Sequence, residues 1–215
     1  MGKLGSTSKG GTICITSNDT SVDKSTFTDS FTSYNGGAMF ITGNNVNITD
    51  SDFKNCSVDV TLSPDGDDLP YGGALYVLGE NTTVSDCTFD NCTAIQGGII
   101  YVQGNNTKVD NATCGNSSAT KYGGAFYIYG VNATISNSSV ENTNATLSGG
   151  AIYIDGINAD IEDSSFEKTN AFGSTTNDGG GAIFIKGDLA SVDRSNFTDN
   201  GANSNNAKGG AIYIT

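Results

Sequence analysis

Glycine pairs recur along this chain at Gly36, Gly72, Gly97, Gly123, Gly149, Gly180 and Gly209, with Gly10-Gly11 as a weaker first copy. The spacings run 26, 36, 25, 26, 26, 31 and 29 residues, so a unit of about 26 underlies the sequence. A period in this range marks stacked supersecondary units, each too small to bury its own apolar face. The pattern inside one unit decides which kind. After Gly149-Gly150, Ala151-Ile152-Tyr153-Ile154 is a short β-type run closed by Asp155-Gly156. Asn158-Ala159-Asp160-Ile161 alternates up to Asp163, and Ser164-Ser165-Phe166 is a third run before a polar stretch. Nothing here has helical periodicity. Leucine-rich repeats need a different leucine frame, and propeller blades need longer units with four strands. The pattern predicts an all-β, right-handed parallel β-helix with three short strands per coil, stacked as a solenoid of seven coils plus an eighth starting strand.

The extra residues support this. They fall after the third strand and before the next glycine pair, at Val58–Pro70, Phe172–Asp178 and Ala202–Lys208. A solenoid tolerates insertions confined to one corner, because they leave the stack undisturbed. Residues 1–9 read as a tag or truncated lead-in, and 10–215 as one β-helical domain excised from a longer protein.

Superimposing the units gives columns. The positions of Ile152 and Ile154 are apolar in every unit and two apart, so they share the inward face. Ile48, Val84, Val109, Ile135, Ile161 and Val192 form an inward column on the second strand. Phe27, Phe53, Phe89, Phe166 and Phe197 do so on the third, with Cys114 and Val140 in smaller coils. A small column, Ser51, Cys87, Ala112, Ser138, Ser164 and Ser195, lies two positions earlier. At ~25 cal/mol per Å² each coil gains several kcal/mol, enough to offset backbone ordering only when neighbours cover it. Asn45, Asn81, Asn106, Asn132 and Asn158 form a polar column, read as a buried structural ladder of stacked amides at tight turns. Breaking a buried link should cost ~1–3 kcal/mol.

The same parity sends Phe40, Tyr76, Tyr101, Tyr127, Tyr153, Phe184 and Tyr213 outward as an aromatic stripe. Such a row could stack on sugars or on a partner, or simply shield its own sheet. The acidic loop Ser63-Pro64-Asp65-Gly66-Asp67-Asp68 lacks the frame of a calcium site and reads as a solvated loop, so no metal or other cofactor is expected. Catalysis is not expected either. The chain has no His and one Arg, Arg194, and Asp50 and Asp86 share a turn column with Lys24, Asn111 and Arg194. Cys56 and Cys92 share a column, but in-register strands hold their Cβ atoms near ~4.8 Å, wider than a disulfide prefers.

Composition narrows the partners. With 10 Lys+Arg against 23 Asp+Glu the net charge is -13, which argues against nucleic acid or an anionic membrane surface. No apolar run is long enough to span a bilayer, and none is expected to insert. Of twelve Asn-x-Ser/Thr sequons, Asn47 on an outward column and Asn144 in a loop are the glycosylation candidates, while ladder asparagines Asn81 and Asn132 should stay bare.

Gly-Gly-Ala-Ile-Tyr-Ile at 149–154 and 209–214, with Phe-x-x-Asn at 197–200, resembles two groups of proteins. One is the chlamydial polymorphic membrane proteins, autotransported adhesins defined by Gly-Gly-Ala-Ile and Phe-x-x-Asn tetrapeptides. The other is the adhesin-like proteins of methanogenic archaea, which low Arg and high Asn, Thr and Ile favour. Phe-x-x-Asn is incomplete in several coils, at Cys114, Val140 and Phe166…Thr169. The resemblance implies a cell-surface, extracellular rod that attaches to a glycan or protein receptor. The other expectations are end-to-end assembly with copies of itself into a filament and, less favoured, a polysaccharide lyase or hydrolase.

Overall fold

The computed structural model describes residues 9–61, 70–173 and 175–215. Four parallel sheets run the length of a right-handed β-helix. The first holds eight strands, from Ile13–Ile15 to Ile212–Ile214, and each of the others holds seven. The coil after Gly149-Gly150 shows the plan: Ile152–Asp155 in the first sheet, Asp160–Glu162 in the second, Ser165–Glu167 in the third, Asn170–Ala171 in the fourth. Pairing is in register, with Ile152 opposite Phe126 on one side and Ile183 on the other.

The fourth sheet was not expected. Its strands are mostly two residues long, and its inward column is small: Val58, Ala94, Ala119, Ala145 and Ala171. Short strands with little side-chain bulk carry a weak periodic signal, so the polar stretch after each third strand hid them. Asn144 is therefore half-buried in a strand rather than in a loop. The acidic loop at 63–68 lies outside the described residues.

What sets the coil is a series of left-handed turns. Among the described residues, every non-glycine residue with positive φ falls nine, fourteen or nineteen positions after the first glycine of its pair. In the coil from Gly149 these are Asn158 (φ 59), Asp163 (φ 49) and Lys168 (φ 52). The path from glycine to third turn thus has one length in all seven coils, and the differences in spacing accumulate beyond it. The glycine pair closes the coil. Gly149 takes φ 65, and a Cβ on Gly150 would lie 2.0 Å from the carbonyl oxygen of Gly181 in the next coil. No side chain fits there.

The core follows the expected columns. Ile48, Val84, Val109, Ile135 and Ile161 are fully buried, and Phe27, Phe53 and Phe89 stack with ring centroids 4.9 Å apart. Cys114 and Val140 interrupt the rings, which resume as Phe166 on Phe197 at 5.1 Å. The small column works harder than its size suggests. Ser138 Oγ accepts the Ala112 amide and Ser164 Oγ accepts that of Ser138, each at 3.1 Å, carrying hydrogen bonds across a corner. Asn200 of Phe-x-x-Asn has a similar task. It accepts the Thr169 amide at 3.0 Å and donates to the Phe166 carbonyl at 2.9 Å.

The asparagine ladder forms, but on the outside. Asn81, Asn106 and Asn132 each donate from Nδ2 to Oδ1 of the asparagine one coil earlier at 2.8 Å, Asn158 does so at 2.9 Å, and Asn45 ends the run on Asp19. All five amides are exposed. An αL residue sits at the apex of its turn, so its side chain projects from the coil and water can replace a lost link. The value of one link therefore falls to about 1 kcal/mol or less, below the buried figure. A second ladder on the third turn was missed: Asn91 donates to Asn55 and Asn55 to Asp29, both at 2.8 Å.

Leu189 occupies the ladder position after Asn158 with φ 60 and is 76% exposed. A leucine there bears the αL penalty of roughly 1–2 kcal/mol and offers no amide. Leu189→Asn is expected to stabilise the chain by about 1 kcal/mol, read as a higher denaturant midpoint at unchanged slope. A lower midpoint would show that turn conformation does not limit this coil.

Candidate functional site

The aromatic stripe stands on the outer face of the first sheet, as parity required. Its rings form one file: Phe40–Tyr76, Tyr76–Tyr101, Tyr101–Tyr127, Tyr127–Tyr153 and Tyr153–Phe184 lie 4.8–5.3 Å apart with planes within 13°. Most of it offers no open platform. Phe40, Tyr76, Tyr101, Tyr153 and Phe184 are buried, at 4–9% exposure. In-register strands place each ring against the next at van der Waals distance, so ring faces cover one another and leave edges. Residues that enter the glycine pairs add a second layer. Tyr71 stacks on Tyr101 at 4.6 Å, and Tyr122 leans over Tyr153 at 4.8 Å. Over this length the stripe is a structural file that seals the sheet.

The file ends differently. Tyr213 is turned 89° to Phe184 and is half-buried. Beside it a groove of about 770 Å³ opens over Tyr153, Phe184 and Tyr213. One wall is Tyr122, Ser148 and Asp178, the last from the insertion between 172 and 179, and the opposite rim is Lys186 with Thr215. Asp178 is only 7% exposed. Its Oδ2 accepts the Thr175 amide at 2.9 Å, and Oδ1 lies 3.4 Å from Ser148 Oγ, which itself accepts the Gly179 amide. Lys186 Nζ is 2.9 Å from Asp155 on the preceding coil. The groove thus combines ring surface with a carboxylate, hydroxyls and an ammonium, the pairing of apolar floor and few polar groups found in ligand clefts. The stripe residues were legible from parity; Asp178 was not, because its loop belongs to no column, and Tyr122 was missed although it stands, like Tyr71, immediately before a glycine pair.

The other candidates are dispersed. Asn47 is exposed on the second sheet, away from the stripe. Asn81 and Asn132 use their amide nitrogens in the ladder. Asp50, Asp86 and Arg194 hold left-handed turns, as expected of their column, and Arg194 is bonded to Asp163, Glu162 and Asp193. Cys56 and Cys92 are buried free thiols.

Burial raises the Tyr101 and Tyr127 phenols well above the ordinary tyrosine range. It also takes Tyr153 to about 12, with help from the charges of Asp155 and nearby Tyr122 and Asp178. A phenol raised in the folded state favours the neutral form. Its contribution is complete below pH ~10 and is lost as pH climbs from there through the folded value. Stability should therefore fall above pH ~10, and ultraviolet titration should show Tyr153 ionising near pH 12. Changing Tyr101, Tyr127 and Tyr153 together to Phe should flatten that fall, and an unchanged alkaline profile would contradict the buried file.

A family model described as a right-handed beta helix region matches residues 11–173. No curated protein and no solved structure matches the chain.

Proposed function

The chain belongs to the right-handed β-helix family, and on that premise we propose that it is a segment of a cell-surface adhesin, a rod that holds a contact surface away from the cell. The observation that carries this reading is the groove at the end of the stripe, where ring surface and hydrogen-bonding groups meet on a rigid sheet. The Gly-Gly-Ala-Ile and Phe-x-x-Asn repeats add to it through their likeness to surface-displayed proteins. Extracellular location and a glycan or protein receptor are part of the proposal.

We further propose that the rod is not an enzyme. Catalysis on acidic polysaccharides needs acid–base pairs with a cation free to act, whereas Arg194 is tied into three carboxylates and the sequence has no His. Cleavage of an acidic polysaccharide, lost on Asp178→Asn, would replace this reading with a hydrolytic or eliminative one.

A second reading, end-to-end assembly, is favoured by register. Ile13–Ile15 and Ile212–Ile214 occupy the same sheet position, so copies could continue the first sheet. Sedimentation across a concentration series separates the two: one species of constant size supports the adhesin segment, growing fibres the filament. On a glycan array the chain should bind at least one surface glycan, and Tyr213→Ala with Tyr122→Ala should reduce that signal about tenfold or more. Equal signal from the double variant would remove the groove as the contact.

A further inference from the structure

Asp178 raises a problem of charge. It is a carboxylate in a residue 93% buried, by its 7% exposure, and among the described residues no lysine or arginine lies within ion-pair distance of it. Its two side-chain hydrogen bonds, from the Thr175 amide and Ser148, come from neutral donors and leave acceptor capacity on a residue that lines the groove. Burying such a group without a counter-charge is unfavourable. The lysines nearby are occupied. Lys186 is held on Asp155 at 2.9 Å, and Lys208 Nζ is 3.5 Å from Tyr213 Oη.

The same end of the stripe already accepts an ammonium. Lys208 Nζ stands 5.5 Å from the centroid of the Tyr213 ring, and at the far end Lys9 Nζ stands 5.0 Å from that of Phe40. Ring quadrupoles at both ends of the file attract cations, as aromatic faces do elsewhere. A groove with a ring floor, a buried carboxylate short of a cation and flanking hydroxyls suits one kind of group.

We propose that this groove binds the ammonium-bearing ring of an amino sugar, its amine on Asp178 and its apolar ring face against Tyr213. A ring hydroxyl then meets Thr175, which is exposed and lines the same groove. This deepens the adhesin reading and rests on it. It replaces a generic glycan with a cationic hexosamine and disfavours uronates, whose carboxylates would face Asp178.

The test is calorimetric titration of the full chain with oligomers of equal length made of glucosamine, N-acetylglucosamine or galacturonate. The glucosamine oligomer should bind at least tenfold more tightly than the acetylated one, and the galacturonate oligomer should not bind. Asp178→Asn should remove that preference. Because it also alters the Thr175 contact, Tyr213→Ser at the partly exposed rim serves as a second variant and should weaken glucosamine binding about tenfold at an unchanged melting temperature. Lys208→Ala should strengthen it, by freeing the ring. Equal binding of the acetylated oligomer, or full affinity in a folded Asp178→Asn variant, overturns the amino-sugar assignment while leaving surface attachment standing. Attachment itself falls separately, if the array shows no glycan bound at all.

Discussion

A left-handed residue every five positions, repeated after a glycine in the same conformation, is the constraint from which the rest of this molecule follows. Positive φ lets the chain turn within one residue, so strands of the second and third sheets stay three residues long and each coil closes on itself. Asn and Asp fill most of these turns because their short polar side chains tolerate the conformation. Lys24, Lys168 and Arg194 fill others, where a long side chain reaches a carboxylate in its own or an adjacent coil. Once the turns coincide, like residues must stack, and the core, the ladders and the aromatic file all result.

Stacking also determines what the surface can offer. Rings superimposed at about 5 Å gain contact with each other and lose their faces to solvent. Amides superimposed in the same way spend their donors on the previous coil. A regular column is therefore poor at recognition, and the groove appears where regularity fails. There an insertion brings in Asp178, and Tyr213 leaves the file.

That contrast explains how much could be read from the sequence. Inward columns such as Ile152 and Ile154 were legible because burial demands the same chemistry in every coil. The asparagine column was legible as a ladder but was placed on the wrong side. Periodicity shows that a residue recurs, while only the sign of φ at Asn45 or Asn106 shows that its side chain leaves the coil. Ala94, Ala119, Ala145 and Ala171 formed a column three positions after the third turn, a signal that could have revealed the fourth sheet. Asp178 had no counterpart in other coils, so its meaning came only with the geometry of the loop.

The fixed path from glycine to third turn makes each coil interchangeable at its joints. Splicing between equivalent glycine pairs, as from Gly97 to Gly123, would remove a whole coil and still present matching turns to its new neighbours. Unequal recombination within such a gene would therefore lengthen or shorten the protein in whole steps without disturbing its interior. Length becomes a quantity that selection can adjust by copy number alone, independently of the loops at the open corner.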